Sequence, residues 1–269
     1  MWIFIPTLKR INKQPTWDAI FPTSYHSDTF LICPTEEAEE HIALGRNVIP
    51  CPLNGHSNIG EVRQWIIDKY HDSDVLMLDD DLVFAKFRED EPKLTRIEKS
   101  PELMTDMLDK VQSVFDQGFN CVGIQFRSGA NRNWPAEYKD NTRIHTAMGF
   151  KTATLHKHNI RFNEPGIALM EDMHVVVSLL KLGYPNRSIC GFTYDQPASN
   201  APGGCSEYRT LDKMYEVSHK MQELHAPFVK AVRKQTTDRW TGMGNDRWDI
   251  TVQWKKAFEY GVANANNIR

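Results

Sequence analysis

The sequence predicts a single α/β domain, a sheet with helices on its faces, and three observations predict it. Short apolar runs of strand character alternate with stretches of helical period through the first eighty residues. The length of 269 residues suits one such domain, with or without an extension, because single cores stop growing at about 250–300 residues. An apolar strand runs straight into Asp79-Asp80-Asp81, and open α/β sheets bind ligands at the carboxyl ends of their strands. With 41% apolar, 10% aromatic and 25% charged residues, the chain can build a core. That composition excludes a disordered, collagen-like or coiled-coil chain.

Trp2–Pro6 reads as a buried strand broken by its proline, and Thr29–Cys33 as a second. Glu36–Leu44 reads as a helix stopped at Gly45, followed by a strand over Asn47–Cys51. Ile59, Val62, Ile66 and Tyr70 set a helical period, and Val75–Leu78 is the strand before the aspartates. This alternation predicts parallel strands. Further on, Leu103–Phe115 reads as a helix, Val122–Phe126 as a strand and Arg127–Trp134 as a polar loop. Met148–Thr154 is expected to be a strand, and Ala168–Leu182 an amphipathic helix closed by Gly183. Ser199–Ser206 has loop composition. Leu211–Leu224 and Phe228–Lys234 are expected to be helical, with a tryptophan-bearing segment over Thr251–Tyr260. The expected organisation is a domain over 1–229 and a basic, Trp-rich extension over 230–269 packed on it.

The net charge of −3 conceals two unlike regions. Residues 230–269 carry eight Lys or Arg against four acids, a surplus of +4 that leaves −7 for the rest. Trp240, Trp248 and Trp254 interleave those cations, a pattern that suits either a nucleic-acid surface or docking of the tail on the domain. Lys9 and Arg10 follow the apolar start too soon for a signal peptide, and no run of about 18 apolar residues exists. Five widely spaced cysteines without a C-x-x-C pair argue against zinc or a disulfide framework. A cytoplasmic protein is expected.

Asp79, Asp80 and Asp81 carry the sharpest chemistry. Adjacent carboxylates repel and desolvate badly, so a strand end that gathers them needs a cation or ribose hydroxyls. On an extended chain Asp79 and Asp81 share one side. Hard oxygen ligands suit Mg2+ or Mn2+. An exposed acidic turn is the plainer alternative. In the loop after Phe126, Arg127, Asn131 and Arg132 supply donors for phosphate or base, and Trp134 either stacks on a base or packs. Gly203 and Gly204 permit close backbone approach to a diphosphate or a flipped base, with Arg209 nearby.

The strand followed by Asp79-Asp80-Asp81 resembles the D-x-D motif of GT-A glycosyltransferases, in which aspartates hold a divalent metal against the diphosphate of a nucleotide sugar. A phosphatase of the haloacid-dehalogenase type also uses D-x-D, but has a threonine where Val83 stands here. The GT-A resemblance implies that Asp79 meets the nucleotide and the metal, Asp81 the metal, and Asp80 the donor. It makes Asp172 of the pair Glu171-Asp172 the base that deprotonates the acceptor, with Glu171 orienting it. It also implies nucleotide contacts from Thr7 and Arg10 and a diphosphate contact from Arg63. His174, His219 and His225 become candidates for a third metal ligand.

Three segments bring the resemblance closer. They are the run from Asp195-Gln196-Pro197 through Gly203-Gly204-Cys205 to Arg209-Thr210, then Leu224-His225-Ala226-Pro227-Phe228-Val229, and Arg247-Trp248-Asp249-Ile250 through Lys256. Together with Arg127-Ser128-Gly129-Ala130-Asn131-Arg132 they resemble the TET-associated glycosyltransferases across nearly the whole chain. The resemblance implies a metal-dependent, inverting transfer from a UDP-sugar to the hydroxyl of a hydroxymethylated pyrimidine, such as 5-hydroxymethylcytosine, in phage DNA. A base inside a duplex would have to be flipped out. The rival expectations are a GT-A enzyme with a glycan, protein or other acceptor, and a non-catalytic nucleotide- or DNA-binding module.

Overall fold

A computed structural model describes residues 1–53, 57–197, 208–235 and 246–267. In chain order the strands are β1 (Trp2–Pro6), β2 (Thr29–Pro34), β3 (Val48–Cys51), β4 (Asp74–Met77), β5 (Val83–Phe87), β6 (Leu94–Arg96), β7 (Cys121–Phe126), β8 (Tyr138–Asp140), β9 (Met148–Lys151), β10 (Asn186–Asp195), β11 (Val229–Gln235) and β12 (Asp246–Val252). The helices are α1 (Pro15–Ile20), α2 (Ala38–Ala43), α3 (Ile59–Lys69), α4 (Pro101–Asp116), α5 (Thr152–Lys157), α6 (Glu171–Lys181), α7 (Leu211–His225) and α8 (Trp254–Asn267).

Among the described residues, ten strands form one sheet in the order β3-β2-β1-β4-β9-β7-β10-β5-β6, with β8 paired to β10. The sheet is mixed rather than parallel. β1 is parallel to β2 and β4, and β7 to β10, while β9 runs antiparallel between β4 and β7. The carboxyl ends of β1, β4, β7 and β10 therefore share one edge with the start of β9, and this edge carries the acidic residues.

Alternation along the strands builds a core on each face. Ile3, Ile5, Leu76, Val122 and Ile124 pack with α1 and α4, whereas Phe4, Val75, Met77 and Cys121 pack with α3, α5, α6 and α8. A third cluster joins Val177 of α6, Met214, Val217 and Met221 of α7, and Val229 and Ile250 of the β11–β12 hairpin. α8 reaches the end of α6 at a glycine pair, where a Cβ on Gly261 would collide with Gly183 N and Leu180 O.

Several expectations change. Phe228–Lys234 is strand β11, because Val229 alternates with exposed Lys230 along a ladder to β12 and has no helical partner face. Met148–Thr154 is strand only to Lys151 and then turns into α5. Thr251–Tyr260 divides into the end of β12 and the start of α8. The helix expected from Ala168 begins at Glu171, after Met170 in the left-handed region at φ 62°. The loop Ser199–Ser206, with Gly203 and Gly204, and Trp240 lie outside the described residues.

Candidate active site

Asp79, Asp80 and Asp81 leave β4 at the sheet edge, but the run is not extended: Asp80 and Asp81 form a turn. α1 fixes that turn. Thr16 Oγ1 donates to the Asp79 carbonyl at 2.6 Å and accepts from Leu82 N at 2.9 Å, while Thr16 N donates to the Asp80 carbonyl at 3.3 Å. The three carboxylates divide between two arginines. Arg10 Nη1 donates to Asp80 Oδ1 and, at 2.7 Å, to Asp81 Oδ2. Arg63 Nη2 donates to Asp79 Oδ1 at 2.7 Å. Asp80 and Asp81 thus share a partner, in place of the Asp79–Asp81 pairing expected of an extended strand.

Asp80 is the buried member, with 8% of its side chain accessible against 35% for Asp79. Thr7 Oγ1 donates to Asp80 Oδ2 at 2.7 Å and accepts from Gln14 Nε2 at 2.6 Å. Burial raises the Asp80 carboxyl to about 6 against the opposing pull of Arg10. Burial also raises Asp79, with Arg63 pulling the other way and Asp81 and Asp172 adding like charge. Thr7 and Arg10, expected to touch the nucleotide, are both bonded to the aspartates.

α3 brings Arg63 into the site. Its start is fixed by a capping box: Asn58 Oδ1 accepts from Glu61 N at 3.1 Å, and Glu61 Oε2 from Asn58 N at 2.9 Å. Arg63 is buried and donates through its second nitrogen, Nη1, to Glu171 Oε1. Glu171 is itself buried, and burial raises its carboxyl to about 7, with Arg63 opposing and Asp172 adding repulsion. The first turn of α6 is thereby tied to the strand end of β4. A Cβ on Gly60 would lie 2.7 Å from the Phe162 carbonyl and 3.4 Å from Glu171 Cγ, so α3 and α6 approach closely here because residue 60 is glycine.

Asp172 is half-buried. Its Oδ1 accepts from Met173 N at 2.7 Å, and it lies within electrostatic reach of Asp79 and Glu171. The structure brings Asp79, Asp80, Asp81, Glu171, Asp172, Arg10, Arg63 and Thr7 together.

The remaining candidates stand apart from this cluster. Arg127 follows β7 and pairs with Asp195 at 3.3 Å. Asn131 and Arg132 are exposed in the following turn, with Trp134 half-buried beyond them. The three histidines are engaged with other groups. His174 Nδ1 meets His225 Nε2 at 2.9 Å, and His219 stacks between Tyr215 and Trp248. Among the described residues no group of three His, Cys, Asp or Glu side chains that could hold a metal exists. Magnesium and manganese nevertheless bind through one or two carboxylates completed by substrate phosphates and water. Asp79 Oδ2 and Asp81 Oδ1 carry no hydrogen bond among the described residues, so the donor set fits a cation shared with a diphosphate.

Sequence reasoning missed four residues of this edge. Gln14 and Thr16 hold the cleft's back wall from α1. His145 and Tyr194 meet at the starts and ends of β9 and β10, with the Tyr194 hydroxyl donating to the His145 carbonyl at 2.8 Å. Burial holds Tyr194 well above and His145 well below their ordinary values, so both stay neutral. Pro15 at a helix start was a signal for α1. Tyr194 and His145 had none without β10.

A model of the TET-Associated Glycosyltransferase family matches residues 1–187. The beta-glucosyl-HMC-alpha-glucosyl-transferases of Enterobacteria phages T6 and T2 are each 23% identical, over 241 and 243 residues, which is 87% of this chain and 83% of theirs. Among solved structures, S. aureus TarS 1–349 is similar with a TM-score of 0.51 at 12% identity. That likeness covers 83% of this chain and 65% of TarS 1–349, and it is a likeness of fold, the GT-A arrangement of a mixed sheet flanked by helices.

Proposed function

Because this chain belongs to the TET-associated glycosyltransferase family, and is therefore a glycosyltransferase, we propose that it moves a sugar from a UDP-sugar to a hydroxyl carried by a hydroxymethylated pyrimidine of phage DNA, in the cytoplasm of the host cell. The observation that carries the reading is the gathering of Asp79, Asp81 and Asp172 at the carboxyl edge of the sheet. No helix among the described residues is long and apolar enough to cross a membrane.

Asp172 takes the acceptor proton as the acceptor oxygen bonds to the anomeric carbon and the bond to the diphosphate oxygen breaks. Glu171, held by Arg63, positions the turn that presents Asp172. Asp79 and Asp81 would hold Mn2+ or Mg2+ on the donor side. When bound, the cation supplies Lewis-acid stabilisation of the leaving diphosphate. Asp80, Thr7 and Arg10 keep the aspartate turn in shape beneath the donor. Arg127, Asn131, Arg132 and Trp134, in the loop after β7, meet the acceptor.

Two acceptor hydroxyls fit the proposal: the hydroxymethyl group of the base, and a hydroxyl of a sugar already attached to it. The names of the two phage relatives favour the second, since each describes addition of an alpha-glucosyl group to beta-glucosyl-HMC. Mass spectrometry of hydroxymethylcytosine DNA, bare and pre-glucosylated, after incubation with a panel of nucleotide sugars and Mn2+ tests the reading. A mass gain of one hexose or pentose is expected on one of the two DNAs. Release of free nucleoside diphosphate without DNA modification would point to a different acceptor, and donor binding without turnover to a non-catalytic module. One accessible base is the arrangement of an inverting transfer, whereas an alpha-glucosyl product, the linkage in the relatives' names, keeps the configuration of an alpha-configured UDP-sugar. A product that NMR shows to keep the donor's anomeric configuration removes Asp172 from the role of sole base.

A further inference from the structure

The β11–β12 hairpin has two unlike faces. Val229, Trp248, Ile250 and Val252 turn toward α7 and pack with Met214, Val217 and Met221. The alternate residues turn away from α7, with Lys230 opposite Thr251, Val232 opposite Asp249 and Lys234 opposite Arg247. Lys230 and Thr251 are exposed. Lys234 Nζ and Arg247 Nη1 both reach Asp249 Oδ2, at 3.0 and 2.9 Å. On this face Lys230 is the exposed cation, while Lys234 and Arg247, with 41% and 14% of their side chains accessible, are both held by Asp249. Lys230 and Lys234 share a side of the strand and are spaced by about 13 Å at about 3.3 Å per residue, a distance spanned by a few backbone phosphates.

Further cations stand near Arg247. Arg247 is buried enough to lower its guanidinium from its ordinary value, and after the opposing pull of Asp249 it feels Arg209 and Arg143 as like charges. Tyr208, next to Arg209, accepts a hydrogen bond from Ile59 N at 3.2 Å, at the start of the helix that carries Arg63. Arg143 is exposed at the entrance to β9 and makes no hydrogen bond or ion pair among the described residues. It lies within electrostatic reach of His145 and Tyr194, and Tyr194 in turn of Asp79 and Asp172. Like charges gathered beside an acidic cleft repel one another, and a polyanion laid along them offsets that cost.

We propose that the outward face of the β11–β12 hairpin and Arg143 form a phosphate track that grips the backbone of acceptor DNA and leads it to the carboxylate cleft. The proposal rests on the reading of DNA as acceptor. The track carries no sequence information; it sets register and orientation, while the modified base is chosen in the cleft.

The test is the salt dependence of binding to a hydroxymethylcytosine duplex, by fluorescence anisotropy, for the wild type, for Lys230→Gln with Lys234→Gln, and for Arg143→Gln. Each lost phosphate contact is expected to lower the slope of log K against log salt by about 0.9. The double variant should therefore lose roughly two units of slope and Arg143→Gln roughly one. In both, KM for duplex should rise far more than KM for the free modified nucleoside, which does not reach the hairpin. Melting curves matching the wild type exclude damage to the fold. Slopes and KM ratios equal to the wild type overturn the track while leaving the transfer reaction standing. A wild-type chain that neither binds nor glycosylates DNA overturns the track together with the reading beneath it.

Discussion

Arg63 and Glu171 form a buried ion pair that fastens α3 to the first turn of α6. The same guanidinium holds Asp79 through its other terminal nitrogen, so one arginine spans the donor side and the base side of the cleft. A planar guanidinium with two parallel donor edges does this; a lysine ammonium, a single point charge, does not.

Replacing Arg63 by alanine leaves two carboxylates in the wall of the cleft without their cation. Breaking a buried pair by removing one partner costs about 3–5 kcal/mol, which corresponds to a melting temperature lower by roughly 10 °C in a chain of this size. Arg63→Lys should fall between that variant and the wild type in melting temperature while losing most of its turnover. A melting curve for Arg63→Ala that overlays the wild type would show that the bridge does not hold the two elements together.

Asp172→Asn keeps an oxygen for the Met173 N–H and removes the basic carboxylate. Its melting temperature should match the wild type, and kcat on modified DNA should fall by about 10²–10⁴. A loss smaller than tenfold, measured under single-turnover conditions, moves the base to another residue.

Glu171 and Asp80 give stability a distinctive pH dependence. Burial raises Glu171 from 4.5 to about 7 and Asp80 from 3.8 to about 6. In those windows the folded chain keeps protons that the unfolded chain has released. The stability they contribute is complete below the unfolded values and is lost as pH rises through about 6 and about 7. Glu171→Gln should flatten the fall in melting temperature between pH 4.5 and about 7. An unchanged slope in that variant assigns the fall to other groups.

The His174–His225 pair acts in the opposite sense. Burial lowers His174 from 6.5 to about 4 and His225 to about 3, so both are neutral when folded. Their contribution is complete above 6.5 and lost as pH falls through those two values. Replacing both by leucine should remove an acid-induced loss on the order of 6 kcal/mol, read from urea midpoints at pH 7 and pH 4. His225→Ala alone strands His174 Nδ1 and should cost about 1–3 kcal/mol even at neutral pH.

β1, β2 and β4 were legible in the sequence because they are buried apolar runs, and α3 because it carries a capping box and a regular period, whereas α1, β5 and β6 were not read. Asp79, Asp81, Glu171 and Asp172 were legible as chemistry, since acids beside apolar runs need a reason. The aspartates' division between Arg10 and Arg63 was not, because it depends on a turn fixed by Thr16, more than sixty residues away. β10 escaped for a local reason. Arg187, Ser188, Gly191 and Thr193 interrupt its apolar run, and its register with β7 shifts between Ile189 and Thr193. With β10 unread, Tyr194 had no place, nor did His145 across from it. The hairpin strand β11 reads as a helix in isolation because Val229, Val232 and Arg233 fit either period.

β10 is an interior strand supplied late. It pairs with β7 on one side and with β5 and β8 on the other, and Val83 meets Asp195, about 110 residues downstream. While the chain is being synthesised, the β5–β6 hairpin leaves the ribosome with one edge bare and waits for its partner until most of the protein has emerged. A nascent chain arrested near residue 187 holds every carboxylate of the cleft and still has a sheet split in two. The catalytic groups are therefore encoded before the scaffold that aligns them, and the order of translation makes β10 the strand on which the assembled cleft depends.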